Sequence, residues 1–185
     1  MPPPCQPLPT GTWVLDPVHS RVGFAVLHAG VAWVRGRFGA VEAWLTVVPG
    51  RRATLKAAIA VETLCTEHPP RDRELMGPQH FDAAAFPVIG FQSTRVACGG
   101  GDDDDALHVD GTLVIRGISH ATTLKGRLLG VELDDQGDTR LGLQLSGDVS
   151  RSAFGMRTNQ VLGSGQLLIG DRIRLSLDVS AVRRA

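Results

Sequence analysis

The sequence has no excess of charge of either sign. Lysine and arginine together number 19, as do aspartate and glutamate, so the formal net charge is zero. A nucleic-acid binder needs a basic footprint, and the balance argues against that class. The same balance argues against electrostatic attachment to a membrane. Cysteine is scarce and odd in number: Cys5, Cys65 and Cys98 are scattered, with no CxxC pair. This fits neither a disulfide framework nor a zinc site, and implies free thiols in a reducing compartment. No run approaches the ~20 apolar residues of a membrane-spanning helix. The opening MPPPCQPLPTG has neither a basic n-region nor an apolar h-region, so it does not read as a secretory signal. Cys5 follows no hydrophobic stretch, which argues against a lipoprotein anchor. The expectation is a cytoplasmic protein with an extended, proline-rich arm over residues 1–11. Residues 12–185 suffice for one domain with a sizeable core. Aromatics are few, with six phenylalanines, three tryptophans and no tyrosine, whereas the 22 glycines exceed average usage. Glycine suits turns, bulges and barrel bends.

What is present is period-two alternation. Ile173, Leu175, Leu177 and Val179 alternate with Arg172, Arg174, Ser176 and Asp178. Leu141, Leu143 and Leu145 do the same, as do Leu107, Val109, Leu113 and Ile115, and Leu55, Ala57, Ile59 and Val61 share one face. One apolar and one wet face per segment is the mark of an antiparallel sheet. The pattern predicts strands at 11–16, 20–29, 34–48, 53–62, 88–97, 107–116, 120–132, 139–150 and 171–182. VVPGRR (47–52) and DDQGDT (134–139) carry turn chemistry, and GGGDDDDA (99–106) reads as a solvated turn rather than a calcium loop. Only RDRELMGPQHFDAAAF (71–86) is rich in helix formers, and Gly77-Pro78 interrupts it, predicting one or two short helices. With no sustained βαβ alternation, so many one-faced strands form a sandwich or close into a barrel. A closed eight-stranded barrel removes exposed edges and can hold one small ligand.

LDPVHSRVGFAVLHAG (15–30) places Asp16, His19 and Ser20 together, and these look like parts of a hydrolase. Ser20 lacks a G-x-S-x-G elbow, however, and adjacent His19 and Ser20 would point to opposite faces of a strand. The six histidines form no HxH, HxxH or HExxH pair, so they read as hydrogen-bonded wall residues rather than metal ligands.

Four stretches carry a family resemblance. WVLDPVHSRVGFAVLHAGVAWVRGRFGAVEAWL (13–45) resembles the opening of the YceI-like polyisoprenoid-binding family, a D-P-x-H-S-x-V-x-F strand followed by a histidine, a short link and a V-x-G-x-F strand. RDRELMGPQHFDAAAFPVIGFQST (71–94), VDGTLVIRGISHATTL (109–124) and VSRSAFGM (149–156) resemble the family's later blocks, in family order. Glu74 stands where the family usually has histidine, and His80 where an aromatic is common. The resemblance implies an all-β fold, a closed eight-stranded antiparallel lipocalin-like barrel with one or two short helices in a connecting segment. It also implies non-catalytic binding, storage or transport of a long-chain isoprenoid (polyprenyl or isoprenoid-quinone-like) or a similar amphiphilic lipid, with no cofactor, in a homodimer. A slender apolar tail gains ~25 cal/mol per Å² removed from water, so no covalent machinery is required.

On the combined reading, the tunnel is lined by Phe24, Val26, Phe38, Phe91, Leu113, Ile115, Leu143, Leu145, Leu175 and Leu177. His28, Arg35 and Arg37 are expected near a rim, and Arg71 and His80 at a mouth formed by residues 71–86, where cationic donors would meet head-group oxygens. The alternative for that segment is a rigid helical cap. Leu27, Val41 and Leu45 lie on the opposite parity from Phe24 and Phe38, so they are expected to face outward and to be covered in the dimer. Two other classes remain open: a lipid-modifying hydrolase or isomerase, and a ligand-free barrel serving as an interaction module.

Overall fold

In the computed structural model the described residues are 8–50, 52–99 and 106–184. Most of the proline-rich arm, Cys5 and the aspartate turn at 102–105 lie outside them. The strands are β1 (Gly11–Leu15), β2 (Arg21–His28), β3 (Ala32–Phe38), β4 (Val41–Val48), β5 (Arg52–Ala60), β6 (Leu64–Cys65), β7 (Val88–Cys98), β8 (Ala106–Ile115), β9 (Ile118–Leu133), β10 (Thr139–Ser150) and β11 (Ile169–Arg184). The α-helix, α1, spans Pro69–Met76 between β6 and β7, and 3₁₀ turns occur at Val61–Thr63 and Ser152–Phe154. Hydrogen bonding runs β1–β4–β5–β7–β8–β9–β10–β11 and back to β1, always antiparallel, which closes an eight-stranded barrel.

Two of the staves are bent. β11 pairs with β1 through Ala181–Leu15 and, further down, with β2 through Leu175–Phe24, so β1 and β2 are halves of one stave. β4 pairs with β1 and β3 with β2, so β3 and β4 are halves of the next. The predicted strands 11–16 and 20–29 are therefore one stave, and 34–48 is one stave with a break at Gly39-Ala40. Each bend is pinned. The Ser180 carbonyl accepts from the Asp16 amide (2.8 Å) and the Ser20 hydroxyl (3.1 Å), and the Ser180 amide donates back to Ser20 Oγ (3.0 Å). At the second bend the Gly39 and Ala40 amides donate to Thr63 Oγ1 (3.1 and 3.0 Å), and the Thr63 hydroxyl donates to the Ala60 carbonyl (2.7 Å).

The breaks reset the in–out alternation. Trp13 and Leu15 face the interior before the first break, and Val22, Phe24 and Val26 after it. Phe38 faces inward before the second, then Val41, Ala43, Leu45 and Val47. The outward placement expected for Val41 and Leu45 is thus corrected. Leu45 is buried in the core, and Val41 pairs with inward Ile59 on β5. Of the three, Leu27 alone lies on the outer face, opposite Trp33.

The interior holds two packed clusters. One fills the end near the chain termini: Trp13, Leu45, Val47, Leu107, Val109, Leu124, Leu128, Leu141, Leu143 and Leu145, joined by Leu8 from before β1. Trp13 is fully buried and its indole N–H donates to the Pro9 carbonyl (3.0 Å). The other cluster closes the opposite end with Val61, Ile89, Leu113, Ile115, Phe154 and Met156, against which Phe81 and Ala83 of the connecting segment pack.

Candidate functional site

All ten expected tunnel residues lie on the inward face, because each pairs across the ladder with another inward residue: Phe24 with Gly36 and Leu175, Val26 with Val34 and Ile173, Phe38 with Val22, Phe91 with Leu113, Leu145 with Leu177, Leu143 with Val179 and Ile115 with Ile118. They divide into two sets. Leu113, Ile115, Leu143 and Leu145 are fully buried within the two clusters. Phe24, Val26, Phe38, Phe91, Leu175 and Leu177 are only partly buried although they point inward. Apart from Phe91, the partly exposed set lies behind the β2–β3 hairpin and along β11.

An aromatic series crosses this region. Phe24 and Phe38 stack at 5.6 Å between ring centroids, and Phe38 meets Phe81 edge-on at 5.9 Å. Gly36 makes the first contact possible. A Cβ there would stand 2.3 Å from Phe24 Cζ and 2.9 Å from Thr66 Cγ2, so the ring lies across bare backbone. Gly111 plays the same part for Phe91, with 2.4 Å to Phe91 Cζ. The wall is incomplete beside Gly36. β3 pairs with β6 only at Arg37–Cys65 and Phe38–Leu64, and its remaining edge, residues 32–36, has no further strand partner among the described residues.

The expected rim and mouth residues are not brought together in one site. Arg35 and Arg37 alternate with Val34, Gly36 and Phe38, so they stand exposed on the outer face, away from the lumen. His28 has inward parity but is exposed at the hairpin end. Arg71 is committed to structure: its Nε donates to Thr66 Oγ1 and its Nη2 to the Thr66 carbonyl, both at 2.8 Å, while Asp72 Oδ1 accepts from the Thr66 amide (2.9 Å) and hydroxyl (2.5 Å). The Arg-Asp pair clamps the chain after β6 to α1. His80 is buried, and its carbonyl accepts from Arg116 Nη1 (2.7 Å). Burial pushes its imidazole pKa below the ordinary value, reinforced by the positive charge of Arg151, so it stays neutral rather than cationic. Residues 77–86 fold back through bonds such as Phe81 N–H to Leu75 O (2.9 Å) and Ala83 N–H to Met76 O (2.9 Å). Phe81 packs partly buried against the second cluster, so in this structure the segment lies over that end of the barrel.

The hydrolase-like trio is also structural. Ser20 is bonded to Ser180 as described, and His19 Nδ1 lies 2.8 Å from Asp16 Oδ2, which also accepts from Arg140 Nη1 (2.5 Å). Arg140 Nε reaches Asp134 Oδ2 (2.6 Å), tying the first bend to the β9–β10 turn. His19 and Arg140 together hold the Asp16 carboxyl well below the usual carboxylate range. These groups border a polar depression of ≈ 410 Å³ on the outside of the barrel. Sequence reasoning did not find Thr63, Thr66, Arg140 or the buried Arg151, whose Nη2 donates to the Thr158 carbonyl. Thr63 and Arg151 act on backbone and Arg140 reaches Asp16 124 residues away, while the five- and six-residue spacing of Thr66 to Arg71 and Asp72 matches no motif.

Comparison with known proteins agrees with this geometry. The YceI-like domain model matches residues 13–181. A UPF0312 protein from Enterobacter sp. (strain 638) is 30% identical over 143 residues, covering 76% of this chain and 72% of the relative. Among solved structures, Burkholderia cenocepacia BcnA superposes with a TM-score of 0.73 at 20% identity, covering 90% of this chain and 98% of that one. A Campylobacter jejuni YceI protein gives 0.70 at 25% identity, covering 86% and 90%. A polyisoprenoid binding domain from Saccharophagus degradans gives 0.66 at 14% identity, covering 93% and 98%. With the barrel, its bent staves and the family blocks all in place from Trp13 to Ala181, the chain belongs to the YceI-like family.

Proposed function

We propose that this protein binds a long-chain isoprenoid, or a similar amphiphilic lipid, non-covalently inside the barrel and serves as its carrier or store. The observation that carries the reading is an apolar inner wall that stays partly exposed: Phe24, Val26, Phe38, Leu175 and Leu177 point inward and are only partly buried, with Leu175 and Leu177 against the first cluster and Phe38 against the second. An extended tail laid along it would exchange water for aliphatic and aromatic contacts on all sides, at ~25 cal/mol per Å² buried. The Saccharophagus neighbour, described as a polyisoprenoid binding domain, supports the ligand class. The residues that looked catalytic are engaged in holding the stave bends, which supports binding without turnover.

Native mass spectrometry of the purified protein, followed by organic extraction, tests this. A retained prenyl or fatty lipid is the expected result, and a Val26→Glu or Leu175→Glu protein with unchanged secondary structure should lose it. Chemical turnover of the extracted lipid class would replace the reading with an enzyme, and a dry barrel would replace it with an interaction module. The homodimer belongs to this proposal on the family resemblance alone, and light scattering at micromolar protein checks it.

A further inference from the structure

The chain-wide charge balance conceals a local asymmetry. The hairpin around the β2–β3 turn, residues 28–37, and the loop 157–168 contain no aspartate or glutamate, yet hold Arg35, Arg37, Arg157 and His28, all exposed. The two segments meet. The Ala29 amide donates to the Leu168 carbonyl (2.6 Å), and a Cβ on Gly30 would lie 2.6 Å from Gln166 Oε1. Ala29 (φ 53°) and Gly30 (φ 73°) make a tight turn that presents Val31 at its apex, 85% exposed. Beside it stand Trp33, Val161 and Leu167, also exposed, the last two bridged to each other. Arg174 of β11 stacks on the Trp33 ring at 4.2 Å. Of the acids on β10 and β11, Asp148 is paired with Arg172 (2.5 Å), whereas Asp171, held by the Ser150 hydroxyl (2.5 Å) and the Ser152 amide (2.9 Å), and Asp178, held by Gln144 (2.9 Å), keep their charge, leaving the arginines and His28 in excess at the tip. Arg35 and Arg37 have no ion-pair partner among the described residues.

We infer that this end of the barrel docks on an anionic lipid surface, with Val31, Trp33, Val161 and Leu167 entering the interface and the surrounding arginines meeting phosphate head groups. Exposed aliphatic tips, a tryptophan at interfacial depth and unpaired cations form the combination that a negatively charged bilayer binds. A protein partner would need an apolar acceptor ringed with carboxylates. A second copy would set arginine against arginine, so the charge distribution favours the bilayer. The inference rests on the lipid-carrier reading, because Val26 and Ile173 of the partly exposed inner wall lie directly behind the tip.

The test is flotation of the full chain with phosphatidylcholine vesicles and with an equimolar mixture of phosphatidylcholine and phosphatidylglycerol. Binding should require the anionic lipid and weaken as salt is raised. Arg35→Glu with Arg37→Glu should reduce it by roughly tenfold or more, and Val31→Asp with Val161→Asp should abolish it. Quenching by brominated lipid should vanish in Trp33→Phe. These positions are exposed, so thermal unfolding should stay unchanged and serve as the folding control. Equal binding by the variants, or no binding to either vesicle, overturns the inference. If lipid is still extracted from the purified protein in that case, the carrier reading survives it. Vesicle binding by a protein whose lumen yields no lipid would overturn the carrier reading instead. A concentration-dependent dimer broken by the same variants would make the patch a subunit contact and overturn docking.

Discussion

Asp16 sits where three parts of the chain meet: the first stave bend, β11 and the β9–β10 turn. Its carboxylate receives His19 from three residues away and Arg140 from 124 residues away. His19 is largely exposed and Arg140 partly so, and solvent screens both pairs. Asp16→Ala should be destabilising by about 1 kcal/mol at neutral pH, with Arg140 left holding only Asp134 and Ser180. The pH dependence follows from the lowered pKa. The unfolded carboxyl titrates near ~4, so the stabilisation is complete above that value and is lost as pH falls toward the depressed folded-state pKa. Denaturant titrations from neutral pH downward should therefore show a shallower acid loss in Asp16→Ala than in the native chain. At Gly36 the deciding contact is steric. Gly36→Ala forces the Phe24 ring off the wall, at about 1–3 kcal/mol. Combining it with Phe24→Leu should recover part of that loss in a double-mutant cycle, whereas independent sites would simply add.

The β2–β3 hairpin and its two bends show what a linear sequence reveals and what it conceals. Alternation within each segment correctly put Phe24, Val26, Phe38, Leu143 and Leu175 on the interior face, because period two holds wherever a strand is unbroken. It failed across Gly39-Ala40. RGRFGAVEAWL (35–45) reads as one continuous strand, and a two-residue break inside an apolar run has no signature beyond a glycine. Val41 and Leu45 were assigned to the wrong face for that reason, with no error in their hydrophobicity. The glycine of V-x-G-x-F was visible, but its partner Phe24 was not, because cross-strand neighbours depend on register. The outward face of Arg35 and Arg37 is likewise illegible in the sequence, because it depends on the phase of the hairpin. Thr63 is the corresponding gap in the reading: it is one threonine 23 residues from the amides it caps. Thr63→Val should cost about 0.5–1.5 kcal/mol, because the exposed Ala40 amide loses its partner while the Gly39 amide keeps the Thr63 carbonyl (3.2 Å), whereas Thr63→Ser should retain most of the stability. Loss in Thr63→Ser with little loss in Thr63→Val would show that the methyl group, rather than the hydroxyl, holds the bend.

At the scale of the whole barrel, the described interior has two buried clusters and, along β2, β3 and β11, a partly exposed apolar wall, and both bent staves belong to the boundary between them. Total charge, composition and strand count all average over that boundary, which is why a neutral chain can carry a cationic tip. The paired breaks also limit how the length of this chain can vary. From Leu15 to Val22 is seven residues and from Phe38 to Val41 is three, both odd, so each break inverts the phase of its own stave and the two inversions match. Removing one residue from 17–19 alone would set the β2–β3 hairpin against β11, with every pair one place out of phase. Removing Ala40 as well would restore agreement between the two staves, but with the hairpin turned inside out, its phenylalanines in water and its arginines in the core. Both the single and the double deletion should yield insoluble chains in an expression trial. A one-residue deletion in the exposed β4–β5 turn at 49–50 should remain soluble. Soluble, cooperatively melting protein from the single deletion would mean that the bends absorb length and do not set phase. In natural relatives, insertions and deletions at these two places are expected to occur in even numbers.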